Sequence, residues 1–200
     1  SYSQNKHYDA MQDIVKALDN LKDLSNNINR NGWNNSYKYK TYNTLSQRSE
    51  KYIYSASDKL EETISLIDKL IKTDYKCLKD DLKRKKGESY VFYVKRVNEN
   101  KKSSDIIYNL KKLRTKLNST YRRLNSLNNS EVSSRLFTIY KYPKNSRYIK
   151  VASREVTNYL KPTFNSLKSI YNDMVNSAKN YKYYNTNVIS MQSKLNNLCK

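Results

Sequence analysis

Only two glycines and two prolines interrupt 200 residues. Hairpin turns and glycine-rich phosphate cradles depend on those residues, so their scarcity leaves long helical runs as the natural reading. The periodicity agrees. Residues 8 to 30 carry Met11, Ile14, Val15, Leu18, Leu21, Leu24 and Ile28 at spacings of three and four, one apolar stripe along a helix. Asn31-Gly32 supplies its stop, a pair that accepts left-handed dihedrals. A second helix is expected over about 44 to 86, from Leu45 through Ile53, Leu60, Ile67 and Leu78, with a break near Thr73-Asp74 and Gly87 closing it. Tyr90, Val91, Val94 and Val97 then restart an apolar face. Ser103-Ser104-Asp105 suits a helix N-cap ahead of the stripe formed by Ile106, Leu110, Leu113, Leu117, Tyr121 and Leu124. A polar connection over 126–134 and a turn at Pro143 lead to a helix from about 147, which Pro162 is expected to kink or restart. A last helix covers about 185 to 198.

The stripes also repeat. Asp13-Ile14-Val15 with Leu18 and Leu21 recurs as Asp105-Ile106-Ile107 with Leu110 and Leu113. Tyr37-Lys38-Tyr39 recurs as Tyr140-Lys141-Tyr142, and Tyr52-Ile53 with Ala56-Ser57 recurs as Tyr148-Ile149 with Ala152-Ser153. Leu60 and Ile64 are answered by Val156 and Leu160. Three blocks in the same order point to a tandem duplication of a unit the size of a small domain. The expectation is an all-α helical bundle of two related units, 8–100 and 101–200, with either separate cores or one shared core.

Size permits this, since a chain of 200 residues can bury roughly 70% of its extended surface without help from a metal. Tyrosine is abundant, 20 against three Phe and one Trp, and its amphipathic ring can build layers between helices. Coding bias in an AT-rich genome, which favours Lys, Asn and Ile as well, is the simpler explanation. The 39 basic and 18 acidic residues leave a net charge of +21, spread through both halves. Such a field favours nucleic acid, sulfated glycan, phosphorylated partners or anionic membrane without choosing among them.

No apolar run approaches the length of a membrane span, and no signal-peptide core is present. The start at Ser1-Tyr2-Ser3 reads as a mature or trimmed product. Asn34, Asn118 and Asn128 open glycosylation sequons of low specificity in so Asn-rich a chain. Cys77 and Cys199 are either free buried thiols or a disulfide. Paired, they would close a long loop and contribute about 5 kcal/mol in the chain-entropy picture. Secretion favours the bond.

Catalytic and metal chemistry find little to use. His7 is the single histidine, expected to be exposed near the N-terminus, and no Cys/His cluster has ligand spacing, so no metal or cofactor is expected. Cys77 lacks a neighbouring base. Glu61-Glu62 and Asp80-Asp81 are adjacent pairs, whose side chains diverge by about 100° on a helix and cannot share a proton. A non-enzymatic protein is the expectation.

Two basic clusters are the candidate polyanion-binding residues. Lys83, Arg84, Lys85 and Lys86 form the densest run, readable as a phosphate grip or as the cation-rich last turn of a helix. Lys111, Lys112, Arg114, Lys116, Arg122 and Arg123 flank the stripe of the following helix, Lys111 and Arg122 on one side and Lys112, Lys116 and Arg123 on the other. This is a snorkelling arrangement and not a single groove.

Its mature-looking start, duplicated helical unit, Tyr-, Lys- and Asn-rich composition and few cysteines make the chain similar to rapidly evolving secreted effectors of insect saliva, such as the bicycle proteins of gall-forming aphids. The Cys-Tyr-Cys motifs that name that family are absent, Tyr75-Lys76-Cys77 being the nearest fragment. The resemblance implies secretion, delivery into host cells and a host protein or polyanion as partner.

Overall fold

The computed structural model describes residues 6–32, 39–79, 81–127, 130–141, 147–180 and 184–198. Among them run seven helices: α1 (Lys6–Asn31), α2 (Tyr39–Lys72), α3 (Lys76–Lys79), α4 (Tyr90–Asn125), α5 (Ser130–Lys141), α6 (Arg147–Asn180) and α7 (Tyr184–Leu198). The chain is an all-α bundle.

The antiparallel hairpin of α1 and α2 makes the most extensive helix contact. On the buried face of α1, Ala10 and Ala17 alternate with Ile14 and Leu21, and on α2 Ser49 and Ala56 alternate with Ile53 and Leu60. Alternating small and large side chains let two helix surfaces interdigitate, and each large side chain removed from water contributes about 1.5–3 kcal/mol. Gly32 ends α1 at φ 66°, its N–H donating to Ile28 O at 2.8 Å. From α2, the buried Tyr42 hydroxyl donates to Gly32 O at 2.7 Å and closes the corner. At the other end of the hairpin, Lys59 pairs with Asp13 and Lys6 with Glu62, each at 2.6 Å.

α4 packs antiparallel to α2. Arg114 meets Asp68 at 3.1 Å and Ser57 Oγ donates to Asn125 Oδ1 at 2.7 Å. This register sets Lys72, the end of α2, level with about Leu110. The first twenty or so residues of α4 therefore overhang α2 by about 30 Å at the helical rise. Residues 73–79 and 81–89 fold back along that overhang: Tyr75 is buried, and Asn100 donates to Cys77 O at 2.7 Å. α5 and α6 form a second hairpin, with Arg135 and Glu155 paired across it. A hydroxyl pair, Ser46 and Ser133 at 2.9 Å, ties α5 to α2. One buried apolar cluster runs through both halves, including Ile67, Leu110, Leu136, Leu167 and Leu195. Its largest fully buried side chains are Leu and Ile, whereas Tyr52, Tyr121, Tyr159 and Tyr171 lie at its rim and Tyr8, Tyr54, Tyr90 and Tyr108 are exposed.

Several boundaries differ from the sequence expectation. The helix expected over 44–86 begins at Tyr39 and ends at Lys72, because its apolar stripe is spent there and Lys79 to Gly87 offers little but charge. The N-cap expected at Ser103-Ser104 is instead Ser89, whose side chain accepts from Phe92 N; Ser103 lies fully buried inside α4. Residues 100 and 101 thus fall in the middle of one helix. Pro162 neither ends nor restarts α6, which runs unbroken from 147 to 180. Pro162 and Asn158, one turn back, are both on the exposed side, where water can take up the carbonyl that loses its donor.

The helix order does not repeat. Among the described residues three helices end before residue 90 and four begin at or after it, and Asp13 is eight residues into α1 whereas Asp105 is sixteen into α4. Tyr52 lies deep in α2, its counterpart Tyr148 in the first turn of α6. Leu60 and Val156 are both buried, as are Ile64 and Leu160. Tyr37, Lys38 and Tyr142 of the Tyr-Lys-Tyr blocks lie outside the described residues, as does Asp80.

Candidate basic surface

The basic run 83–86 belongs to no helix. It occupies a loop between α3 and α4 in which Glu88 N–H donates to Lys85 O at 3.1 Å, closing a turn whose third residue, Gly87, has φ 79°. That positive φ is what glycine supplies in a type II turn. The loop is held by one side chain from α4. Arg96 donates to both carboxylate oxygens of Glu88 at 3.0 Å, to Lys83 O at 2.9 Å and to Asp81 O. The Arg96 hydrogen bond, followed by one from the Lys85 backbone, holds the Glu88 carboxyl below the usual carboxylate range. Arg84 donates to Glu88 O at 3.2 Å and lies over the Tyr90 ring, 5.8 Å from its centroid. With the Lys83 and Lys85 backbones committed to this framework, Lys83, Arg84, Lys85 and Lys86 are all exposed.

The second cluster divides. Arg114 is spent on Asp68 of α2, and Arg123 on Asp173 of α6 and on Ser169 Oγ at 2.9 Å. Both are inter-helix ties. Lys111, Lys112, Lys116 and Arg122 point outward, and among the described residues none of them is in an ion pair. Lys112 lies over the exposed Tyr108 ring at 4.6 Å. At about 100° per residue these four span about 140° of the circumference of α4. The surface is a convex basic face rather than a groove.

Sequence reasoning missed two features here. Arg96 and Glu88 organise the loop, and their only signal was one arginine and one acid bracketing the start of a helix. The apolar face expected from Tyr90 and Val91 does not enter the core: Tyr90, Val91 and Phe92 are 64, 76 and 69% exposed. Three consecutive apolar residues at a helix start cannot share one side, and that was the available clue.

His7, expected to be exposed, is buried in the first turn of α1 at 4% exposure, and burial lowers its pKa to about 3. It is neutral at pH 7. Cys77 is half-buried, with Sγ 3.4 Å from the Ser103 hydroxyl, and is in a disulfide rather than a free thiol. Cys199, the other half of the candidate pair, lies outside the described residues. Among the described residues no group of His, Cys, Asp and Glu could hold a metal ion. No described helix is long and apolar enough to cross a membrane. A slot of about 340 Å³ between α1 and α6 is lined by Leu21, Ile28, Leu160 and Phe164, with Lys22 and Lys161 at its edge. A wider polar groove along α2 mixes Lys6, Lys51 and Lys59 with Glu50, Asp58 and Glu62, whose charges offset one another.

No protein-family model matches the chain, and neither does any curated protein or solved structure.

Proposed function

We propose that this chain is a secreted, non-enzymatic interaction protein, an effector that engages a host macromolecule through a basic helical surface. The observation that carries the reading is the division of labour on α4. Arg114 and Arg123 are consumed by acids of neighbouring helices, while Lys111, Lys112, Lys116 and Arg122 stand outward without ion pairs among the described residues. Cations kept in water on a rigid helix cost little to present and attract any anionic partner. Secretion and the effector role rest on the resemblance to insect salivary effectors.

A polyanion binder, acting on nucleic acid or sulfated glycan by charge alone, is the second reading. The convex spread of those four cations favours it, since a packed protein interface depends on a few buried anchors. The tandem relationship of residues 8–100 to 101–200 is kept as a proposal about ancestry, supported by the three sequence blocks and the matched burial of Leu60 with Val156 and Ile64 with Leu160.

The test is titration with heparin, duplex DNA and single-stranded RNA over about 50–200 mM salt, beside a variant carrying Lys111→Gln, Lys112→Gln, Lys116→Gln and Arg122→Gln. Polyanion binding that falls steeply with salt, with a shallower slope in the variant, supports the charge-driven reading. Unchanged binding in the variant removes this face from the function. Weak binding to all three polymers moves the search to a host protein.

A further inference from the structure

The first turn of α4 carries apolar surface that the proposed function does not use. Leu82, Tyr90, Val91 and Phe92 are 46, 64, 76 and 69% exposed. Residues 90, 91 and 92 point about 100° apart, so side chains exposed in all three directions leave about 200° of this turn open to water, with the half-buried Tyr93 and Val94 on the remaining side. The register of α2 against α4 places it at the far end of the overhang, and no residue of α4 before Ser103 is buried. Leu82 is brought to the same end because Arg96 holds the carbonyls on either side of it, those of Asp81 and Lys83. Around this tip stand Lys83, Arg84, Lys85, Lys86 and Lys95, all exposed.

We propose that this tip is a docking point for an anionic lipid bilayer. Charge complementarity selects the occupant. Two aromatics and two aliphatics at the end of a convex projection suit insertion to the depth of the headgroup boundary, where amphipathic rings settle. The exposed cations of the adjoining loop can meet lipid phosphates, and each lysine or arginine near an anionic surface adds to the attraction. A groove for a peptide would present concave walls, and a nucleic-acid site would not need Val91 or Leu82 in water. The loop is pre-shaped by the Arg96–Glu88 contact, so docking does not have to order it. Nothing here spans the membrane; the tip rests in one leaflet.

The experiment is co-sedimentation of the full chain with vesicles of phosphatidylcholine alone and of phosphatidylcholine doped with phosphatidylserine, at about 150 mM salt. Expected is binding to the doped vesicles and little to the neutral ones. A double variant, Val91→Ser with Phe92→Ser, should lose about tenfold or more of that partition while its helical circular dichroism and heparin binding stay as in the parent. A second variant, Phe92→Leu, should bind as the parent does, which separates apolar insertion from damage to the fold. Absence of binding to doped vesicles overturns the proposal. So does binding that survives in the Val91→Ser, Phe92→Ser chain, since charge alone would then explain it. Heparin binding by the α4 face reports on the function proposed above independently of either result.

Discussion

Arg96 grips both oxygens of Glu88 at 3.0 Å, and the same guanidinium reaches the carbonyls of Lys83 and Asp81. One side chain on the second turn of α4 thus fixes the shape of a loop that is otherwise mostly charge. A bidentate pair of this kind combines geometric specificity with charge-assisted hydrogen bonds.

Replacing Arg96 with alanine is therefore expected to free the loop while leaving the bundle folded. Each 1.4 kcal/mol removed from the opening free energy raises the cleavable population about tenfold. Limited trypsin digestion should cut after Lys83, Arg84, Lys85 or Lys86 at least that much faster in Arg96→Ala, with the thermal midpoint little changed. Equal cleavage rates would show that Arg96 does not hold the loop. The contact also has a pH signature. Glu88 is held below its ordinary value of 4.5, so its contribution is present above that value and disappears as pH falls through the lowered one. Amide exchange in residues 83–89 should accelerate correspondingly on acidification, beyond the change in intrinsic rate.

Tyr42 is buried at 2% exposure and donates to Gly32 O at 2.7 Å. Tyr42→Phe keeps the ring but strips a donor from a carbonyl at the α1 terminus, at a cost of about 1–2 kcal/mol. Urea unfolding should show a lower midpoint with an unchanged slope. A variant as stable as the parent would mean that water replaces the hydroxyl.

His7 makes the chain sensitive to acid. Its pKa is lowered from 6.5 to about 3 by burial, so between those values the unfolded chain binds a proton that the folded chain refuses. Stability is full above 6.5, falls as pH drops and levels off near 3. Over that whole window the loss is on the order of 5 kcal/mol. His7→Leu removes the titration, so its urea stability should decline less on acidification than that of the parent. Parallel declines would rule His7 out as the source.

Cys77 is disulfide-bonded, and Cys199 is the one other cysteine of the chain. Peptide mapping without reduction is expected to yield a Cys77–Cys199 linked pair from monomeric protein. Cys77→Ser should then lower stability by up to about 5 kcal/mol, the chain-entropy value for so long a loop. A linkage found only between chains would refute the pairing.

Much of the fold was legible in the sequence. α1 and α7 begin and end within two residues of where the apolar spacing and Asn31-Gly32 put them, and α6 begins at 147 as expected. The break after Lys72 was readable at Thr73-Asp74. Less legible was the start of α4, because Ser103-Ser104 and Ser89 are equally good caps in isolation. Ser103 is inside the helix because its small side chain fits beside Cys77, a contact 26 residues away in sequence. The candidate surface was half legible. Periodicity could place Arg114 and Arg123 on α4, but their partners Asp68 and Asp173 are 46 and 50 residues distant.

The sequence by itself determined that this chain is helical and basic, because composition and a local period of 3.6 are properties of neighbouring residues. Tertiary structure alone decided which cations face water, that His7 is buried, and that Tyr90, Val91 and Phe92 stand at the end of an overhang. Those outcomes depend on the register of α2 against α4. That register comes from contacts such as Asp68 with Arg114 and Ser57 with Asn125, between residues that only packing brings together.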